Sequence, residues 1–260
     1  MLKILKYSFY DLMRSRWSYV YFLFYLLLGL VLLFLNNDLS KAVITLMNVI
    51  IILVPLIGTI FGVMYYYNSK EFTELLLAQP VKRSSIFLGQ YFGVALSLAM
   101  SLVIGLGLPF IFYGIFNSNA IGNFALLLIT GAFLTLIFTA LAFVIALTND
   151  NKIKGFGYAI LLWLFLAVIY DGLFLMSLVF FEDYPLDKFS LVATMLNPID
   201  LSRVLILLKM DISALLGYTG AVFQKFFGTN QGIILSSVML ILWVSIPLIS
   251  IRRIANSKDF

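Results

Sequence analysis

Six stretches of this chain, 17–35, 42–66, 87–116, 124–147, 156–180 and 233–251, are apolar nearly throughout. A helix crossing the hydrocarbon of a bilayer needs about 20 such residues, and each stretch is close to or beyond that length. The chain therefore reads as an all-α integral membrane protein with six transmembrane helices. Charge content agrees: 11% of residues are charged, against about 25% in soluble domains, so too little polar surface exists to coat a water-soluble fold. No repeat or flexible linker divides the chain, and residues 1–260 read as a single transmembrane domain.

Charge placement gives a direction. With the N-terminus inside, twelve of the 17 Lys and Arg residues fall on inner segments, the bias of the positive-inside rule. Both termini are then cytoplasmic. Residues 1–16 alternate Lys3, Lys6, Arg14 and Arg16 with Leu2, Leu5, Phe9, Leu12 and Met13, the pattern of a basic amphipathic helix at an anionic lipid surface. No small-residue cleavage site follows the first span, so that span reads as retained. Between spans five and six, 181–232 forms the one sizeable outer excursion. Within it, 191–208 carries Pro198, Asp200 and Arg203, and 212–227 carries Lys225. Charges at those positions are costly in hydrocarbon, so both segments are expected as interfacial helices, with Asn197 and Asp211 as their N-caps.

The chain contains no Cys and no His, so disulfides, Cys/His metal sites and Ser-His or Cys-His catalysis are excluded within it. No phosphate-binding GxxxxGK[ST] loop is present, and ATP cannot be hydrolysed by this chain alone. Asp171 lies inside span five, past the midplane. It could bind a cation, relay a proton or touch a polar substrate. A hydrogen bond to a neighbouring helix, or a place near the outer interface, is the simpler reading, and no second buried charge is evident to pair with it. Gly105, Gly107 and Pro109 in span three suit close helix packing, and Tyr65, Tyr66 and Tyr67 suit an interfacial aromatic belt.

The inner loop 68–86 interrupts two oily spans with Lys70, Glu71, Glu74, Lys82 and Arg83. Asn68 with Glu71 has capping-box spacing, and Phe72, Leu75, Leu76 and Gln79 fall on one helical face. Pro80 ends the element by disfavouring helix at Gln79. So short a helix is marginal alone in water and must dock. Its acidic side disfavours a negative lipid surface, leaving a groove on a protein partner.

Glu74-Leu75-Leu76-Leu77-Ala78-Gln79-Pro80-Val81-x-Arg83, followed by Ile86-x-Leu88-Gly89, resembles the loop after span two in ABC-2 type permeases, the membrane subunits of a class of ATP-binding cassette transporters. The basic helix before span one, the six-span count and Arg252-Arg253 are similar across the whole chain. The sequence departs from that pattern at Glu71-Phe72-Thr73, where Gly-Thr-Leu is common, and at Gln90, where lysine is frequent. The resemblance implies an ABC-2 (type V exporter-like) permease fold in a bacterial inner membrane. It also implies that 68–86 is a coupling segment inserted into the ATPase, with Lys70, Glu71, Phe72, Glu74, Leu75, Gln79, Pro80 and Arg83 as the coupling residues. Met195-Leu196-Asn197-Pro198-x-Asp200-x-x-Arg203, together with Asp171, resembles the NosY-type branch of the family, the permeases of nitrous oxide reductase maturation. That narrower resemblance implies a homodimer, two copies of a NosF-like ATPase and a periplasmic NosD-like β-helix protein. Asn197, Pro198, Asp200 and Arg203 would then form the platform for the periplasmic partner. The chain would bind no cofactor or metal itself, with ATP and Mg held by the ATPase, and its work would serve the copper sites of the reductase. Export of lipids or hydrophobic small molecules, transport through Asp171 without an ATPase, and passive anchoring of a periplasmic protein are the competing readings.

Overall fold

The computed structural model describes residues 1–36, 38–181, 186–209, 223, 226 and 230–258. Among these every regular element is helical. Six helices are long and apolar enough to cross a membrane: α2 (Arg16–Leu35), α3 (Leu39–Asn68), α5 (Arg83–Phe112), α6 (Ile121–Thr148), the composite Lys152–Phe180, and the last helix, α11 (Asn230–Ser257). The chain is a multi-pass membrane protein. The composite span consists of α7 (Lys152–Leu164), a π-helical turn at Phe165–Ile169, and α8 (Tyr170–Phe180).

Spans α3, α5 and α6 form the centre, with 50%, 61% and 56% of their apolar windows buried, whereas the composite span is 17% buried. Small residues make the central packing close. A Cβ on Gly62 of α3 would sit 2.8 Å from the Ala142 Cβ of α6, a distance available only to glycine. Gly105 of α5 faces Tyr25 of α2 in the same way, at 2.9 Å, which gives the Gly105–Pro109 stretch a packing role. Span three was expected to reach Phe116. It stops at Phe112 because Gly114 takes a left-handed φ of 86°, a conformation glycine adopts without Cβ strain.

One end of the bundle gathers α1 (Leu2–Arg14), the short α4 (Lys70–Leu77), the 149–151 turn and the end of α11. Ser15 separates α1 from α2: its backbone is extended, and its Oγ accepts from the Ser18 N–H at 3.3 Å. Helix α1 is fixed to α5 rather than resting on lipid alone. Gly89 and Gly93 of α5 admit Ile4 and Ser8, and a Cβ on Gly93 would lie 2.6 Å from that of Ser8.

At the opposite end, α9 (Asp187–Met195) and α10 (Pro198–Lys209) meet at a turn of 113°. The first expected interfacial helix is thus two helices, and they enter the bundle instead of lying on it. The second, 212–227 with its Asp211 cap and Lys225, falls mostly outside the described residues.

Candidate functional site

At the basic end, α4 divides its residues between the chain's own core and the outside. Phe72 stacks on Tyr7 of α1 with ring centroids 4.5 Å apart. Thr73 is buried, and its Oγ accepts from Gln90 Nε2 of α5 at 2.8 Å while donating to the Ser69 carbonyl. Gln90 is itself wholly buried. Thr73 and Gln90 are both positions at which the sequence departs from the ABC-2 pattern, and the structure joins them in one hydrogen bond. The expected stripe is therefore split. Phe72, Leu76 and Gln79 line an apolar cleft of about 740 Å³ with Met1, Leu2, Ile4 and Tyr7 of α1, Gln79 being exposed as well. Lys70, Glu71, Glu74, Leu75 and Pro80 face outward, with Leu75 68% exposed.

The capping box does not form. Helix α3 continues through Asn68, Ser69 precedes α4 without a side-chain cap, and the Asn68 Oδ1 accepts from Lys152 Nζ at 3.1 Å. Helix α4 ends at Leu77, short of Gln79. Arg83 was expected on the coupling surface, but its Nη1 donates to the Lys258 carbonyl at 2.8 Å. Lys258 Nζ in turn donates to the Leu147 carbonyl and to Asp150 Oδ1, at 2.7 and 2.6 Å. The end of α11 is so clasped to the start of α5 and the end of α6. The bond from Lys258 holds the Asp150 carboxyl below its usual range. The Lys258–Asp150 pair is thus intact at neutral pH and is lost as acidification protonates Asp150, while the bonds to the Leu147 and Lys258 carbonyls remain.

Tyr67 is no mere belt residue. Its hydroxyl donates to the Asn149 carbonyl at 2.6 Å and approaches that of Asn151, holding the turn between α6 and α7 against α3. Tyr67→Phe should cost about 1 kcal/mol of stability, read as a lowered unfolding midpoint in detergent.

Asp171 is not alone. Arg203 Nη1 of α10 meets its Oδ2 at 2.9 Å and lies 3.4 Å from Asp200 Oδ1, which overturns the expectation that no charge pairs with it. Asn197 donates through Nδ2 to the Leu166 carbonyl and to Asp200 Oδ2, both at 2.8 Å, while its Oδ1 accepts from the Ile199 N–H. Asn197 caps α10 as expected, but it also satisfies a backbone carbonyl in the π-turn of the neighbouring span. Asn197 and Pro198 are fully turned inward, Asp200 is 8% exposed, and Arg203 is half-buried. A motif so placed does not present a platform, and this corrects the sequence expectation. Ionic side chains this far from water need partners, and the bundle supplies them.

Three contacts give the depth of the α9–α10 turn. Phe189 stacks near Phe174, the Tyr170 hydroxyl donates to the Ala193 carbonyl, and Asn197 reaches Leu166. Helix α9 therefore descends along span five. Leu166 is fourteen residues from Lys152, or about 21 Å at the rise of a helix. Trp243 of α11, whose Nε1 donates to the Met195 carbonyl, lies as many residues from Ser257. The two spans agree that the turn sits near mid-membrane. The sequence signal for this was Arg203 itself, a cation matched in number to an isolated acid.

No family model matches the chain. It is 26% identical over 230 residues to a "Probable ABC transporter permease protein NosY" of Pseudomonas aeruginosa, covering 78% of this chain and 80% of that protein. A protein of the same description from Stutzerimonas stutzeri is 27% identical over 136 residues, 50% of this chain and 49% of the relative.

Proposed function

We infer, from a chain whose relatives are ABC transporter permeases and whose six spans fit that family, that it is the membrane subunit of a transporter powered by a separate ATPase. Helix α4 carries this reading. It is eight residues long, joined to α5 through Thr73 and Gln90 and to α1 through Phe72 and Tyr7. Its free face offers one exposed leucine among Lys70, Glu71, Glu74 and Gln79. An apolar side chain ringed by charges suits a pocket on a protein partner, and whatever moves α4 moves α5 with it.

The finer assignment rests on the likeness of residues 195–203 and of Asp171 to the NosY-type branch. The chain works as a homodimer in a bacterial inner membrane with both termini cytoplasmic. Two NosF-like ATPases bind ATP and Mg below it, and a NosD-like β-helix protein stands above it in the periplasm. ATPase movement passes through α4 to serve maturation of the nitrous oxide reductase copper sites. The burial of Asn197–Arg203 leaves the exposed start of α9, with Asp187 and Lys188, as the nearer surface for a periplasmic partner.

Co-purification tests the central claim. Leu75→Asp should weaken capture of the ATPase at least about tenfold, the effect of one lost anchor of ~1.4 kcal/mol or more, while leaving the permease folded. Undiminished capture, or purification of the wild-type chain without any ATPase, would sink the reading.

A further inference from the structure

The cluster around Arg203 is out of charge balance. Two carboxylates, Asp171 of α8 and Asp200 of α10, share one guanidinium. Asp200 Oδ2 accepts from Asn197, a neutral donor. Asp200 Oδ1 is buried, lies 3.4 Å from Arg203 Nη1 and receives no hydrogen bond. Of the elements packed on α10, α9 carries Asp187 and Lys188, both exposed at its start and absent from the cluster's ion pairs. Helix α6 carries no charged side chain from Ile121 to Thr148. Lys41 of α3 is exposed at that helix's start, and Arg252 and Arg253 of α11 lie at the far end of their helix. Tyr170, the nearest other titratable group on α8, spends its proton on the Ala193 carbonyl.

A net negative charge inside the helix bundle is costly where little water is present to solvate it. The cheapest neutral state adds one proton. We propose that Asp200, Asp171 and Arg203 form a proton-binding site in which one proton, held on the Asp200 carboxyl, is bound at neutral pH and balances the cluster. The proton comes from water and leaves as hydronium, so no other co-reactant is needed. Any movement that carries α10 away from span five parts Arg203 from Asp171, and each side then stays neutral with the same single proton if Asp200 pairs with Arg203 and the proton passes to Asp171. The position of the α9–α10 turn is in this way linked to which of the two carboxyls holds the proton. That conclusion uses only this cluster and would stand whether or not an ATPase drives the movement.

Infrared spectroscopy of the full-length chain in an ester-free detergent tests it. The carbonyl stretch of an un-ionised carboxyl is read at neutral pH and identified by its shift in D2O. The wild type should show one such group. Asp200→Asn should abolish it. Asp171→Asn should abolish it too, because Arg203 then balances Asp200, whereas Glu71→Gln should leave it unchanged. Absence of the band from the wild type in both choline and sodium buffers overturns the proposal, and this needs no variant to fold. So does a band that survives Asp200→Asn. A band seen in choline but not in sodium replaces the proton with a bound sodium ion and likewise overturns it.

Discussion

Arg203→Ala should lower the stability of the folded chain by about 3–5 kcal/mol, the usual result of leaving a buried charge without its partner. The side chain holds Asp171 at 2.9 Å and stands beside Asp200, so its removal leaves two acids facing each other in low dielectric. The loss is read as a fall in the unfolding midpoint in detergent. Adding Asp171→Asn should recover most of it, because the remaining acid is neutral when protonated. Acidification should also recover stability in the single variant, as the carboxyl still charged takes a proton. If the double variant is as unstable as the single one, the guanidinium stem rather than its charge holds α10 in place.

Gly93→Ala should cost about 1–3 kcal/mol, the range for forcing an extra group into a filled contact. The new methyl would lie 2.6 Å from Ser8 Cβ and 2.9 Å from the Leu5 carbonyl and Phe9 nitrogen. Backbone atoms cannot rotate aside, so α1 must lift from α5, and with it Tyr7 from Phe72. Protease cleavage within residues 1–16 should accelerate. The same change at Gly107, fourteen residues further along α5 and close to its far end, meets nothing within 4 Å. There Ala should be neutral or stabilise the helix by up to about 1 kcal/mol. Equal effects at the two glycines would mean that helix propensity, not the α1 contact, governs the response.

The spans were legible because length and apolarity alone decide whether a helix crosses hydrocarbon, and the observed helices end within about six residues of the expected limits, span three stopping short at its far end. The α9–α10 turn was not. Asp200 and Arg203 looked too costly to bury because the sequence does not display Asp171 beside them, and the cost of a buried charge depends on its partner. Asn197 was legible as a cap, but its second bond, to Leu166, joins residues 31 apart in sequence. The coupling helix was half legible. Its periodicity identified one apolar face, but α1 already occupies Phe72 and Leu76, and Leu75 is left to the outside. Thr73 and Gln90 read separately as departures from a family pattern, and only their contact explains both.

Helix α5 receives α4 at Gln90 and α1 at Gly89 and Gly93, all within its first eleven residues, and then runs unbroken to Phe112. Its thirty residues make a rod about 45 Å long. Such a rod behaves as a lever with its input near one end. A tilt of about 5° applied there displaces the other end sideways by roughly 4 Å, given the helical rise. At that far end Phe110 stacks on Phe124 of α6, with centroids 4.4 Å apart. A small push on an eight-residue helix at one end of the bundle thus arrives amplified at the other, where the Phe110–Phe124 stack and the contact of Pro109 with Gly29 of α2 must yield or carry it on.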